Sequence, residues 1–422
     1  MTNSPNSQKV LPVLHPEIYQ SALLDESEQV NQGITDSSDL PQNGQARKNR
    51  YLNTALMLDK STYEFLRRVT WKRLSIHQYH EPLNISDVQK LAQEFEENKE
   101  FTKSIELSLY FSPMYNLLRE QSPEMFSTSA LVRSASQIFE IGLPTRIREV
   151  VVALALPDHD EEDFESNVAE TSSLMFLIPK FQLLSTFKFL TDDLVHVSES
   201  FLASIIKKLE HVEVILLYIP DGSLESRGKE VEQNDLGEAL ASREKLKSLN
   251  IRYLNSPNSK WLNLKWKCQL KELTIELRRD RTTLEPQNLI RFCHLFRHSL
   301  VSLYHLSLPL QQTEEEKTLI KDFGLLRHFT FSGNLQSLSL ISHFPNLETF
   351  TWILEGPMVI DEVIHFMETY SPNENPFQKL ELFLESYSIH LECEDINAFN
   401  DCVEAVTDLN STLNPRPANL EI

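Results

Sequence analysis

Glycine is scarce in this sequence. Only 9 of the 422 residues are glycine, whereas about 7% is usual in globular proteins. Loops that hold nucleotide phosphates and the tight turns of β-hairpins both depend on glycine, because its backbone readily adopts positive φ angles. The low count therefore argues against a nucleotide-binding fold and against a hairpin-rich all-β protein.

Cysteine and long apolar runs are scarce as well. The four cysteines, which lie between residues 268 and 402, are too few and too scattered for a disulfide framework. The longest apolar runs, Val150–Leu156 and Val214–Ile219, fall well short of the ~20 residues needed to span a bilayer. The first nine residues are polar and carry no secretory signal pattern. We therefore expect a soluble protein of the cytoplasm or nucleus that has no membrane partner.

Positive charge is in deficit. Lys and Arg total 40 against 61 for Asp and Glu, which gives a formal charge of −21 and a pI near 5.1. This balance excludes a protein that coats nucleic acid, because tight phosphate binding needs a net basic surface. A local basic stripe is still compatible with it. Apolar residues make up 41% of the chain, which is enough for a folded core.

The motifs of common catalytic sites are missing. The sequence contains no G-x-G-x-x-G, no G-K-[ST], no G-x-S-x-G and no H-E-x-x-H, which mark nucleotide sites, hydrolase nucleophiles and zinc proteases. We therefore predict no catalytic residue, no metal and no cofactor. An enzyme with an unrecognised site is the alternative.

One cluster has a spacing that could suit a metal. His294 and His298 are four residues apart beside Cys293, so both imidazoles could lie on one face of a helix. No third or fourth ligand is evident, and the neighbouring Arg291 and Arg297 disfavour a cation. We predict that this cluster is structural.

Two further clusters are also interpreted as structural. The acidic run 158–163 lacks the glycine and the later glutamate of a calcium-binding loop, and it is predicted to be a solvated loop. Cys393 and Cys402, near His390, lack C-x-x-C spacing and are predicted to be buried thiols.

From about residue 100 onwards, short strings of the form L-x-x-L-x-L recur, where L is any apolar residue. The middle apolar residues of ten such strings are Ile105, Val150, Phe187, Val212, Leu249, Leu273, Leu306, Phe329, Phe350 and Leu380. Successive strings are 21 to 45 residues apart, and the shorter spacings lie in the ~20–29 range of leucine-rich repeats. Helix-like stretches lie between some of them, at 201–209, 286–298 and 361–370.

These strings predict the architecture. Each string indicates a short strand that is apolar on one side, and one strand with one helix cannot bury that side alone, so consecutive units stack. We predict an α/β fold, an irregular leucine-rich-repeat solenoid with a curved parallel sheet and outer helices. The alternative is an ordinary α/β domain with leucine-rich strands.

The N-terminal residues carry a different pattern. Its parts are Leu11-Pro12, Pro16-Glu17-Ile18, Leu23-Leu24, the stretch 52–63 and the stretch 67–74, which ends in alternation typical of a strand. This pattern, followed by the strings, resembles divergent fungal F-box proteins that have a leucine-rich-repeat-like C-terminal region. The resemblance implies a disordered lead at 1–9, an F-box-like helical domain at 10–76 with a polar insert at 25–50, and a leucine-rich-repeat-like solenoid at 77–422.

The resemblance also implies a function. An F-box binds a Skp-type adaptor that joins a cullin–RING ubiquitin ligase, and the repeat region then holds a protein substrate for ubiquitin-dependent degradation. By position, the adaptor-binding residues implied are Leu11, Pro12, Ile18, Leu23, Leu24, Leu56 and Leu58. Two alternatives stay open: these residues pack on the first repeat, or the whole chain is a leucine-rich-repeat scaffold that binds proteins without an adaptor.

The variable positions of the strings predict the substrate-binding surface, because in such a solenoid they face the concave side. We expect substrate contacts from Lys247, Lys271, Tyr304, His305, Arg327 and His328. Several of these side chains are cationic or aromatic, and Tyr and Arg dominate many interfaces. The hypothesis is a locally basic groove for an acidic or phosphorylated segment, and the alternative is scattered surface charge.

Overall fold

The structure is a computed structural model. It describes residues 60–77, 84–110, 122, 128–155, 171–191, 199–219, 234–252, 259–276, 286–306, 314–333, 344–354 and 379–383.

One parallel sheet organises these residues. Its eleven strands are β1 (Arg73–His77), β2 (Ser104–Tyr110), β3 (Glu149–Ala155), β4 (Thr186–Thr191), β5 (Val214–Tyr218), β6 (Ser248–Arg252), β7 (Glu272–Glu276), β8 (Ser302–Leu306), β9 (His328–Gly333), β10 (Thr349–Leu354) and β11 (Lys379–Phe383). Every strand pairs with its neighbours in the chain, from β1 to β11 in order, and across the described strands the sheet does not close. The predicted α/β architecture with a sequential, solenoid-like parallel sheet is confirmed at this level.

One helix precedes β1 and others occupy several of the connections between strands. They are α1 (Lys60–Thr70), α2 (Ile85–Asn98), α3 (Thr128–Gly142), α4 (Glu199–Ile206), α5 (Asp235–Ala241), α6 (Pro286–His294) and α7 (Glu314–Lys321). Parallel neighbouring strands need such long crossovers, because the chain must return to the same end of the sheet before the next strand starts. The helices predicted near 201–209 and 286–298 are confirmed as α4 and α6, while 361–370 lies outside the described residues. None of the helices described has the length and apolarity that a bilayer crossing requires.

Alternation along each strand places the core on one side of the sheet. In β4 the residues alternate between half-buried and buried, and Phe187 and Phe189 are both inaccessible to solvent. The register aligns Phe187 with Val150 on one side and Ile215 on the other, so buried side chains form columns across the strands. These columns join one hydrophobic cluster with residues of the helices. Burying each such side chain stabilises the fold by about 1.5–3 kcal/mol.

Local sequence explains how a crossover helix is fixed, as α2 illustrates. Asn84 caps its start and forms a capping box with Asp87, in which each side chain bonds the other residue's backbone N–H. Val88, Ala92 and Phe95 recur at the spacing of one helical face, and all three are buried. This face packs α2 into the core beside α3.

Two of the strings were predicted in the wrong register. The sequence predicts Val212 as the centre of a strand, but β5 starts at Val214 and its first buried column residue is Ile215. The sequence also predicts Leu306 as the centre of the eighth strand, yet Leu303 is the residue that aligns with Leu273, and the register shifts between Leu303 and Leu306. β5 therefore begins later than its predicted string, and β8 begins earlier than its predicted string.

The strand predicted at the end of the N-terminal pattern is confirmed as β1. It pairs with β2 over its full length, from Arg73 to His77. Its string, Trp71-x-x-Leu74-x-Ile76, matches the later ones, and all three apolar side chains are buried. α1 and β1 therefore form a repeat-like unit that is continuous with the sheet.

Candidate protein-interaction surfaces

The second face of the sheet is defined by the first, third and fifth residues of the strands, whose side chains point away from the buried columns. Over the first seven strands, this face carries charges in cross-strand pairs. Arg73 lies 2.5 Å from Glu106 and Lys188 lies 2.8 Å from Glu149. Further along, Arg252 lies 3.6 Å from Glu276.

These pairs decide the electrostatics of the second face. Each arginine or lysine just named has a glutamate partner on the neighbouring strand, so the charges cancel locally. Ser104 adds a hydrogen bond to Glu149 at 3.1 Å. Half-exposed pairs of this kind contribute about 0–1 kcal/mol each. The second face therefore does not form a basic groove over these strands.

Apolar residues on the second face are concentrated on β3, β4 and β5. Val151 on β3, Leu190 on β4 and the three residues Val214, Leu216 and Tyr218 on β5 share it. Val151 is buried and the others are half-buried. Lys188 lies between Val151 and Leu216 in the register, so these apolar residues surround a charged pair and do not form a continuous apolar patch.

The residue immediately before each strand forms a second surface, which we call the amino rim. Lys72 O accepts hydrogen bonds from Lys103 N at 2.9 Å and Ser104 N at 3.3 Å. The same pair of hydrogen bonds to a single rim carbonyl recurs from strand to strand as far as β10. Because strands lie about 4.8 Å apart, the rim residues form a regular row.

The amino rim is rich in cations although the whole chain is acidic. From β1 to β10 its residues are Lys72, Lys103, Arg148, Ser185, Glu213, Lys247, Lys271, Val301, Arg327 and Glu348. Six of these ten residues are cationic and two are acidic. The row therefore has a charge opposite to that of the protein.

Ion pairs divide the rim into two parts. In the later part, Lys247 lies 2.8 Å from Glu213 and Arg327 lies 3.3 Å from Glu348. The pKa of Glu213 lies below its ordinary value, chiefly because Lys247 donates a hydrogen bond to its carboxylate. In the earlier part, Lys72, Lys103 and Arg148 are exposed and follow one another without an acidic rim residue between them.

The predicted substrate-binding residues lie on both surfaces. Lys247, Lys271 and Arg327 are rim residues, and Lys271 N donates to Lys247 O at 2.7 Å. Val301 separates Lys271 from Arg327 along the row.

The other three belong to strands. His328 starts β9, and its Nδ1 lies 2.8 Å from Thr349 Oγ1. Tyr304 is half-buried on the second face. His305 belongs to β8, but its side chain lies outside the described residues. The structure thus brings Lys247 next to Lys271, whereas Arg327 and His328 are neighbours in the chain. Tyr304 lies on a different surface from the rim.

Sequence reasoning missed Lys72 and Lys103 as surface residues of interest. A signal for them exists, because the second position of the string is a lysine or arginine in both cases: Trp71-Lys72-x-Leu74 and Thr102-Lys103-x-Ile105. The strings identified from the sequence begin with the one centred on Ile105 and do not include Trp71-x-x-Leu74-x-Ile76, so Lys72 has no aligned position among them.

The predicted adaptor-binding residues all lie outside the described residues. They are Leu11, Pro12, Ile18, Leu23, Leu24, Leu56 and Leu58. Their contacts therefore stay a prediction.

The cluster considered for a metal has other partners. Cys293 is buried, and burial raises the pKa of its thiol to about 12. His294 Nε2 lies 3.0 Å from Asp322 Oδ2. Burial also raises the pKa of Cys268 to about 11. Over the described ranges, no three side chains of His, Cys, Asp or Glu are grouped as a metal site would require.

Comparisons with known proteins were made with families, curated proteins and solved structures. No protein-family model matches the sequence, and no curated protein matches it. Among solved structures, the chain is similar to one in the crystal structure of the yeast Rad7 and Elc1 complex, with 13% identity and a TM-score of 0.34. The alignment covers 82% of this chain and 94% of that one. So low a TM-score does not establish a shared fold, and the functional conclusions for this chain rest on its own residues.

Proposed function

We propose that the chain is a non-enzymatic substrate receptor of an SCF-type ubiquitin ligase. In this proposal residues 10–76 bind a Skp-type adaptor, and the repeat array binds a target protein. The adaptor belongs to a cullin–RING ligase, so the target is marked for degradation.

The sequential sheet is the observation that supports the protein-binding part. The strands follow one another in chain order and repeat the same rim position from β1 to β10, so side chains are presented at regular spacing over a long surface. Repeat arrays use such extended surfaces to bind other proteins. The adaptor part is supported by the similarity of the N-terminal motif residues to the F-box pattern.

Adaptor capture by the tagged full-length chain tests the proposal. The variant Leu56→Asp with Leu58→Asp places charge on the proposed adaptor contact, and we expect at least about tenfold less Skp-type adaptor to be recovered, because charges replace apolar anchors. Recovery of the target protein should be unchanged. Full adaptor recovery by this variant would contradict the proposal.

The rim variant Lys271→Glu with Arg327→Glu is the matched counterpart. It should retain the adaptor and lose the target, because both side chains are proposed substrate contacts on the rim. If target recovery is unchanged, the proposed role of these two residues is wrong.

A second function, a repeat scaffold without an adaptor, is favoured by one observation. β1 lies within the predicted F-box-like domain, yet it pairs with β2 as the first strand of the sheet. In the scaffold, the residues before β1 pack on this first unit. Recovery of partner proteins with no adaptor by the unaltered chain would support the scaffold over the ligase subunit.

A further inference from the structure

We propose that the first three rim residues, Lys72, Lys103 and Arg148, form a binding site for an acidic polypeptide segment. This proposal names the chemistry of a partner and rests on the proposed function only in assuming that the array binds proteins. The site lies at the start of the sheet, apart from the substrate contacts predicted at Lys247, Lys271 and Arg327.

The three cations are held in line by the backbone. Arg148 N donates to Lys103 O at 2.8 Å, as Lys103 N does to Lys72 O at 2.9 Å. The row spans about 10 Å, because adjacent strands are about 4.8 Å apart.

The residues preceding the cations anchor the row. Trp71, Thr102 and Ile147 are buried, with 3%, 0% and 1% of their surface exposed. The hydroxyl of Thr102 also donates to Trp71 O at 2.7 Å. The positions from which the three cationic side chains extend are therefore fixed by the core.

The charges of the row are not neutralised by the structure described. Lys72, Lys103 and Arg148 are exposed, and within the described ranges none of the three side chains forms an ion pair. Two glutamates of these strands form ion pairs with other cations: Glu106 pairs with Arg73, and Glu149 pairs with Lys188.

The number of cations favours an acidic polypeptide over other polyanions. DNA-binding proteins typically neutralise about 6–10 phosphates, and anionic membranes are bound by clusters of about 4–8 basic residues. Three cations on a chain of net charge −21 are too few for either. An extended peptide presents side chains on one side about every 7 Å, so two or three carboxylates match the length of the row.

Binding of a fluorescein-labelled ten-residue polyglutamate peptide to the purified full-length chain tests this site. We expect saturable binding that weakens as salt rises. The variant Lys72→Gln, Lys103→Gln, Arg148→Gln should bind about tenfold more weakly, since each exposed ion pair contributes little and three are lost. No binding by the unaltered chain, or equal binding by this variant, would overturn the proposal.

Two matched variants distinguish an effect of the row from an effect of total charge and from an effect on folding. Lys90, Lys265 and Lys321 are exposed cations elsewhere on the chain, and their replacement by Gln removes the same charge. This control should change affinity less than twofold, and an equal loss in it would overturn the site. The charge-preserving variant Lys72→Arg, Lys103→Arg, Arg148→Lys should bind like the unaltered chain, and loss of binding there would contradict an electrostatic site.

Competition identifies the class of partner. A ten-residue oligothymidine and vesicles containing phosphatidylserine should displace the peptide only weakly. Displacement by either as effective as that by unlabelled peptide would overturn the assignment to a polypeptide. Since the peptide assay uses no adaptor, its result is independent of adaptor capture by residues 10–76.

Discussion

Two neighbouring parts of the helix layer are packed in different ways. α4 and α5 contact each other, and their buried residues are aliphatic or small, among them Ala203, Ile206 and Ala239, all inaccessible to solvent. The adjoining segment, from the 3₁₀ turn Ser259–Asn263 to α6, is packed by aromatic rings. We call these the aliphatic segment and the aromatic segment.

The difference reflects how much backbone each connection supplies. The described residues between β6 and β7 form a short 3₁₀ turn rather than an α-helix. Large rings fill the space instead: Trp266 lies 5.4 Å from Phe292 and 5.2 Å from Phe296 between ring centroids. A repeat array can thus lose a helix from one unit if bulky side chains restore the packed volume.

Gly237 and Trp261 mark the boundary between the segments. A Cβ atom on Gly237 of α5 would lie 2.5 Å from Trp261 Nε1, which is closer than atoms can pack. Glycine therefore lets the large ring approach the short helix.

The largest expected effect comes from emptying the aromatic segment. Phe292 is 1% exposed and contacts three other rings, so Phe292→Ala should lower the free energy of unfolding by about 3–5 kcal/mol. Chemical denaturation measures it. Phe176→Ala is the control, because Phe176 is 46% exposed. Similar losses of unfolding free energy from both variants would show that the buried rings of the aromatic segment do not contribute specially to stability.

A smaller effect is expected at the boundary. Gly237→Ala should destabilise the fold by about 1–3 kcal/mol, because the added methyl group overpacks against Trp261. Gly324→Ala is the matched control, since nothing lies within 4 Å of a Cβ placed there.

The contact between Gly237 and Trp261 can also be tested by replacing Trp261 with a smaller side chain. Trp261→Phe removes the indole N–H and should recover part of the loss when combined with Gly237→Ala, a coupling that a double-mutant cycle measures. Strict additivity of the two changes would contradict direct contact.

The smallest effect concerns a carboxyl in the aliphatic segment. The pKa of Glu199 lies above its ordinary value, chiefly because the carboxyl is buried. A hydrogen bond donated by Leu236 N, 3.3 Å away, opposes this rise. A raised pKa means that the folded state favours the protonated form, so stability falls as pH rises through that pKa.

Glu199→Gln should therefore stabilise the protein at pH 7 by less than about 1 kcal/mol, since the site is partly screened by solvent. The difference should vanish near the ordinary pKa of a glutamate and below. Thermal melting from pH 4 to pH 7 checks this, and a destabilised Gln variant at pH 7 would contradict it.

Sequence reasoning predicted the sheet well where strands alternate and less well where they do not. β4 alternates, and its Phe187 and Phe189 were identified correctly. The run Val214–Ile219 is apolar on both sides, so period-two alternation could not fix its register. At β8, Leu300, Leu303 and Leu306 give overlapping strings, and the irregularity between Leu303 and Leu306 cannot be read from composition.

The surfaces were less predictable than the core. Lys247 and Arg327 were selected as variable positions of their strings, and the structure places both on the rim. Their pairing with Glu213 and Glu348 depends on strand order, which brings together residues 34 and 21 positions apart. The row of Lys72, Lys103 and Arg148 needed the same information, because the three are separated by crossovers of very different length.

The chain order of the strands has a consequence for how the protein forms. Each strand pairs only with the one before it and the one after it, so a unit can add to a folded neighbour without waiting for the far end of the chain. Assembly of this kind can proceed as the polypeptide leaves the ribosome, and loss of a terminal unit leaves the interior interfaces intact. Fraying from the ends, rather than collapse of the whole, is the expected first step of its denaturation.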